Sequence, residues 1–400
     1  MTERLYYDNA YLTEFDGQVL SCQPDGAYFR VLLDRSAFYP TSGGQPFDTG
    51  RLGEAQVVDV NVEDDLVWHT VTQPLSEGTT VRGVIDWARR FDHMQQHAGD
   101  HMIAGALHRL MGGMTIGLHI SEDISTIDVA MPEGSTRISP EEIRQIELDV
   151  NQHIQRNVPI RCWFPEADEL EALPLRKKPT VSEHVRIVAI GDDEMVACGG
   201  THPAHAGEIG LVKIVSVTPA RGKMRVAFLA GQRALTDYFR CHEAVQAASE
   251  LLSANTDSLV ETVAATQKKL RTAESELRKC RREILFTGAQ EYLAQAETLS
   301  NGYQLVVQFV EADANLLRDL AAKLIEQPRR IALLGAMNGK QAIYAFGRSA
   351  DVKANMGELM RATAVPMGGK GGGRPDFAQG GGCPEILEAA RLMIRGNPEF

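Results

Sequence analysis

Two pairs of metal-binding side chains lie nearly a hundred residues apart in this chain, and any fold it adopts has to account for both. The first is His97-Ala98-Gly99-Asp100-His101. On a helix a spacing of four places both imidazoles on one face, one turn apart, within reach of a single ion. The second is Cys198-Gly199-Gly200-Thr201-His202, where two glycines let the backbone bend around an ion. Either pair alone is a weak signal. Together they offer three imidazoles and one thiolate, a tetrahedral set suited to one Zn2+ per chain. His93 sits four residues before His97, so spacing alone also allows the pair His93/His97. A zincin-type metalloprotease is disfavoured, because Ala98 stands where that pattern needs glutamate.

The hydrophobic periodicity predicts an α+β multidomain protein. Residues 1–85 read as a small β-barrel-like domain. Ala27–Leu33 is an apolar run, Val58–Val62 alternates with period two, and Leu66–Thr72 and Thr80–Ile85 look similar. Residues 86–235 read as an α+β metal-binding domain. It opens on a helix through Ala88–Met111, capped by Asp86 or Asp92. A second helix over 140–157 carries Ser139 as N-cap and Pro140 at N1. Strands are expected at Ser125–Met131, Val185–Ile190, Leu211–Val217 and Met224–Ala230.

Residues 240–287 predict a helical spacer, either one long helix or a hairpin. Val245, Leu252, Leu259, Val263, Leu270, Leu277 and Ile284 share a heptad seam. Ser249, Thr256, Thr266, Ala273 and Cys280 share it too, which weakens it as a parallel dimer interface. Residues 288–400 read as a C-terminal α/β domain. It contains a glycine-rich loop over 368–382 that lacks the GxxxxGK[ST] order, so ATP hydrolysis has no motif to support it.

Charge limits the partners. The net charge of −12 argues against broad, non-specific nucleic-acid binding but leaves room for local basic patches. Candidates are Arg176-Lys177-Lys178, the group Arg221/Lys223/Arg225, the cluster Lys268–Arg282, and Lys370 with Arg374. The first two read equally well as solvated faces, and the Lys268–Arg282 cluster reads more readily as one. No apolar run is long enough to span a membrane, and no hydrophobic leader follows Met1. Six scattered cysteines fit a reduced, cytoplasmic protein.

These residues resemble a known family. His97-Ala-Gly-Asp-His101-Met-Ile-Ala-Gly-Ala-Leu is similar to the first metal motif of the alanyl-tRNA synthetase editing domain, and Cys198-Gly-Gly-Thr-His202 to the second. Phe38-Tyr-Pro-Thr-Ser-Gly-Gly-Gln-Pro-Phe-Asp-Thr-Gly50 resembles the signature of its small β-domain. Thr115-Ile-Gly-Leu-His119 through Asp128 fits the intervening strands. Gly368–Gly382 resembles the DHH-associated C-terminal domain. The register selects His97 and His101 over His93. Because the chain starts almost directly at the β-domain, it looks like a free-standing editing protein of the AlaX family, long form.

The resemblance implies a zinc-dependent hydrolase that deacylates Ser-tRNA(Ala), or Gly-tRNA(Ala), in the service of translation fidelity. An alanine pocket cannot strongly reject serine, with discrimination of only about a hundredfold in comparable cases. An editing pocket instead offers a partner to the seryl hydroxyl. The resemblance gives that role to Thr41, in the loop that also holds Gly43, Gly44 and Gln45. Gln96 and His119 are candidates for polar groups behind the ligands, although His119 alone reads as a core histidine. The C-terminal domain is expected to bind tRNA, and a homodimer would form through it or the helical spacer. Two other readings stay open: a tRNA-binding protein with a structural zinc, and a phosphoesterase.

Overall fold

The computed structural model describes residues 2–179, 184–192 and 194–397. The protein is α+β and divides into two compact units, Met1–Ala248 and Ser249–Phe400. The division falls inside the helix Gly231–Leu252.

The first unit begins with a closed barrel of six antiparallel strands. In barrel order they are Glu14–Asp25, Tyr28–Leu33, Leu66–Val71, Ala55–Glu63, Gly50–Leu52 and Thr80–Ile85. Alternation drives closure: Val31, Leu33, Val57, Val60, Val67 and Val71 all turn inward and are essentially fully buried. The first strand, Glu14–Asp25, was not expected, since its polar outer face hides the period.

The helix Trp87–Met111 follows. Asp86, not Asp92, caps it by accepting from the Arg89 amide, and Gly112 ends it in the left-handed conformation. Every residue from His93 to Leu107 is buried. One side packs against a four-stranded antiparallel sheet ordered Val212–Ala220, Lys223–Ala230, Ser125–Ala130, Met114–Ile120. The helix Pro140–Gln155 starts with a reciprocal capping box between Ser139 and Glu142, and its Ile146, Val150 and Ile154 join the same core. A three-stranded sheet, Ile160–Trp163, Ile187–Ile190 and Glu194–Ala197, carries the chain into the Cys198 turn.

The expected seam does not run along one helix. The chain breaks at Ser253 (φ +50°) and a short turn over Thr256–Ser258, then resumes as Leu259–Ala294. Val263, Leu270, Leu277 and Ile284 are exposed on that second helix.

The second unit is built on a six-stranded mixed sheet ordered Glu297–Thr298, Gln304–Phe309, Arg330–Asn338, Gln341–Arg348, Phe377–Gly382, Lys370–Gly373. Gln304–Phe309 and Arg330–Asn338 run parallel, joined through the helix Ala314–Leu324. Separate hydrophobic cores cover the two faces. The glycine-rich stretch, expected as a loop, is instead an antiparallel hairpin. Its glycines act through close packing. A Cβ on Gly380 would lie 2.4 Å from Met360 Sδ, and one on Gly371 would lie 2.7 Å from Met360 Cγ. Only a side-chain-free ribbon lets the helix Met356–Ala364 pack this tightly against the sheet.

Candidate metal centre

His97, His101, Cys198 and His202 converge, and their ligand atoms all lie within 4.8 Å of one another. Cys198 Sγ is 3.3 Å from His97 Nε2 and 3.4 Å from His202 Nε2. A tetrahedral site with metal–sulfur and metal–nitrogen bonds of ~2.3 and ~2.05 Å spaces such atoms about 3.5 Å apart. His93 is buried on the same helix but outside the cluster.

The local chain explains the geometry. His97 and His101 sit one turn apart, with rings stacked at 5.2 Å, and the His202 ring stands edge-on to both. Arg186 shapes the Cys198 turn: its Nη1 donates to the carbonyls of Cys198 (3.1 Å) and Gly200 (2.8 Å). A Cβ on Gly200 would lie 2.2 Å from His97 Cε1, so glycine is required where the turn passes under the ring. Gln45 comes from the barrel and is fully buried. Its Oε1 accepts from His97 Nδ1 (2.8 Å) and from the Thr201 amide (3.2 Å), while its Nε2 donates to Thr201 Oγ1 (2.8 Å). This places the His97 proton on Nδ1 and turns the lone pair of Nε2 toward the centre.

The side chains fit a cation. Both ring nitrogens of His101, and Nδ1 of His202, are buried without a hydrogen-bond partner. An unsatisfied buried imidazole nitrogen is costly, and an ion at the centre would take one of the two on His101. Burial, with Arg186 and His93 adding, holds His97 at about 3. Burial and neighbouring imidazoles push His101 and His202 well below the ordinary histidine range. All three rings are therefore neutral, as ligands must be. Burial pushes the Cys198 thiol up to about 12, so ionisation to a thiolate needs the positive charge of a bound metal.

A cavity of about 270 Å³ opens beside the centre. Its walls include His97, His101 and Cys198 on one side and Tyr39, Ser42 and Gly43 of the barrel loop on another. That loop is laid against the strand Met114–Ile120: the Ile120 amide donates to Gly44 O, and a Cβ on Gly44 (φ +86°) would lie 2.1 Å from Leu118 O. Thr115, Leu118, Val196, Arg176 and Lys177 complete much of the wall.

The other expected site residues fall in varied places. Thr41 is exposed and does not line the cavity; its amide bonds to Val60 O. Gln96 faces away from the centre, with both amide atoms used on the Ala230 backbone. His119 is not a core residue: strand alternation turns Leu118 inward and leaves His119 exposed. Arg176 is not a free surface cation, since it is buried against Glu194 at 2.7 Å and also donates to Thr115 Oγ1. Arg225 is exposed but paired with Asp128. Arg221 is exposed in the turn between two strands. Lys370 and Arg374 are exposed on the glycine hairpin, with Arg374 paired to Asp376. Arg186 and Thr115 went unrecognised because a single polar residue at a strand end carries no pattern in one dimension.

Among the described residues no helix is long and apolar enough to cross a membrane. Comparison with known proteins gives three domain matches in order: "tRNA synthetases class II (A)" over residues 6–89, "Threonyl and Alanyl tRNA synthetase second additional domain" over 185–226, and "DHHA1 domain" over 302–396. The chain is 32% identical over 95% of its length to the alanine–tRNA ligase of Pyrococcus abyssi, covering 42% of that protein. It is 33% identical over 98% of its length to that of Archaeoglobus fulgidus, covering 43%, and 34% identical over 95% to that of Halobacterium salinarum, covering 42%. It thus spans less than half the length of these relatives. A solved structure, the C-Ala domain from Aquifex aeolicus alanyl-tRNA synthetase, aligns with 26% of this chain and 98% of its own at 25% identity, with a TM-score of 0.25.

Proposed function

We propose that the chain is a relative of the alanyl-tRNA synthetases, of the AlaX type, and that it removes a wrong amino acid from tRNA(Ala); its similarity to alanine–tRNA ligases and to the second additional domain supports this reading. The substrate is Ser-tRNA(Ala), with Gly-tRNA(Ala) second, and the reaction is hydrolysis of the aminoacyl ester. One observation carries this reading: three buried imidazoles and a thiol converge beside a cavity whose opposite wall is the barrel loop. Three nitrogens and one sulfur gathered in one cluster favour zinc.

In the reaction the oxygen of water bonds to the ester carbonyl carbon. The bond to the ribose oxygen breaks, and that oxygen takes a proton. Zinc, when bound, supplies positive charge beside the ester and fixes the shape of the pocket. The chain's own groups hold and select. Gln45 and Arg186 keep the ligand side chains in place. Tyr39, Leu118 and Val196 form apolar wall that limits water. Ser42 and Thr115 bring hydroxyls to the cavity wall that would partner a seryl hydroxyl and that alanine would leave unpartnered at a cost of roughly 1–3 kcal/mol. This moves the recognition role from Thr41 to its neighbour and to a strand residue.

Lys370 and Arg374, with the hairpin backbone, are proposed as contacts to the RNA backbone, and Lys177 as a contact at the cavity rim. The exposed apolar residues of Leu259–Ala294 are where a homodimer would form. A complete set of four ligands also favours a second reading, in which zinc is purely structural and the protein binds tRNA without cleaving it.

Serine release from Ser-tRNA(Ala), with Ala-tRNA(Ala) as control, separates the two. Purified zinc-loaded protein should release serine, and Cys198→Ala or His101→Ala should lose zinc and activity together. No release above buffer by the zinc-loaded protein would leave only the binding reading.

A further inference from the structure

We infer that Asp100 anchors the α-ammonium group of the aminoacyl ester. This rests on the deacylase reading and names a recognition contact within it. Asp100 lies on the ligand helix between His97 and His101 and lines the same cavity as both, and as Cys198, Ser42 and Gly43. It is 8% exposed, and its Oδ1 has no hydrogen-bond partner. A buried carboxyl oxygen left unpaired is costly, and such groups persist where a ligand completes them.

The ligand's charge follows from the other ionisable groups in the wall. Besides the metal-binding residues, those among the described residues are Arg176, Lys177 and Tyr39, whose phenol burial pushes well above the ordinary tyrosine range and so keeps neutral. Arg176 spends its hydrogen bonds on Glu194 and Thr115, and Lys177 reaches Thr115 O at 3.5 Å. Among the described residues no side chain hydrogen-bonds Asp100; burial raises its carboxyl to about 7, with Arg176 opposing, and a cation seated against Oδ1 would hold it ionised. An aminoacyl ester brings one cation, its ammonium, two bonds away from the carbonyl carbon. Holding that cation at Asp100 sets the carbonyl beside the metal-binding face and leaves the side chain toward Ser42 and Thr115. The seryl hydroxyl, being neutral, needs no fixed charge; the ammonium does.

The test replaces the ammonium by a near-isosteric neutral group. Ser-tRNA(Ala) is compared with the matched hydroxyacyl-tRNA(Ala), in which the amine has become a hydroxyl, each rate being divided by its uncatalysed rate. The unaltered protein should prefer the amine-bearing ester about 10- to 100-fold, the range for a hydrogen bond to a charged group. Asp100→Asn should collapse that preference while keeping one zinc per chain, and Asp100→Glu should restore part of it. Equal slowing of both esters by Asp100→Asn, an unchanged preference, or loss of zinc from Asp100→Asn would each overturn the assignment while leaving the deacylase intact. Absence of serine release by the unaltered protein would instead sink the deacylase reading, and this inference with it.

Discussion

Replacing Gln45 by leucine is expected to weaken metal binding from a distance and destabilise the first unit at the same time. The substitution removes three buried hydrogen bonds, to His97 Nδ1, the Thr201 amide and Thr201 Oγ1. With no acceptor at Nδ1, the neutral ring is free to carry its proton on Nε2, the atom that faces Cys198 Sγ. Loss of such a partner weakens metal affinity about 10- to 100-fold, or roughly 1.4–2.7 kcal/mol. Two donors, His97 Nδ1–H and the Thr201 amide, are left buried and unpaired at about 1–3 kcal/mol each. For a unit of this size that lowers the melting temperature by roughly 5–20 °C. Competition against a chromophoric chelator reads the affinity, and thermal unfolding reads the stability. Gln45→Glu should behave differently, because His97, the Thr201 amide and the Thr201 hydroxyl can all donate to a carboxylate. Its zinc affinity should stay within about threefold of the unaltered protein. If Gln45→Leu binds zinc as tightly as the unaltered protein, the outer-shell role is wrong.

Gly200→Ala would set a methyl 2.2 Å from the His97 ring, which forces a displacement of about 1 Å where coordination tolerates roughly 0.2 Å; zinc content by elemental analysis should fall well below one per chain, and full occupancy would refute the geometry. Thr115→Val should reduce the preference for Ser-tRNA(Ala) over Ala-tRNA(Ala) about tenfold, whereas Thr41→Val should leave it unchanged; the reverse pattern would return the role to Thr41. Acid should weaken the barrel through His69, which burial holds at about 4 in the folded state against an ordinary 6.5. The unfolded chain takes up the proton first, so this contribution is present above about pH 6.5 and is lost as pH falls toward 4, by about 3 kcal/mol in all. Urea unfolding of zinc-free protein at pH 7 and 4.5 should show a smaller loss in His69→Phe; an equal loss would remove His69 as the cause.

The ligands were legible because helix periodicity and a two-glycine turn are local. Two residues on one helical face must meet, and only the joining of the two halves needs tertiary structure. What the sequence hid was direction. Gln96 looked like a partner of His97, yet a step of one residue on a helix turns the side chain by about 100°, toward Ala230 instead of the His/Cys cluster. His119 was lost in the same way by the two-residue period of a strand. The charged patches misled because their counter-charges are distant in sequence: Arg225 finds Asp128, and Arg176 finds Glu194. The glycine-rich segment read as a loop because glycine weakens strands. What decides its form is Met360, a neighbour on another element. Asp100 stood in plain view within the first motif, but that its Oδ1 finds no hydrogen bond among the described residues is a property of three dimensions alone.

The barrel and the ligand helix share a further tie. Arg90 and Asp48 form an ion pair with neither side chain exposed, and Arg90 also donates to Ala10 O and Ala37 O. A pair like this is tolerable only while both partners are in place, since separating them strands two charges away from water. Partial opening of the barrel is thereby penalised as heavily as opening of the helix. Amide protons in strands such as Val67–Val71 and in the His93–Leu107 stretch should exchange with solvent through one common opening. The barrel would then exchange not as a detachable appendage but at the same slow rate as the helix that carries the histidines.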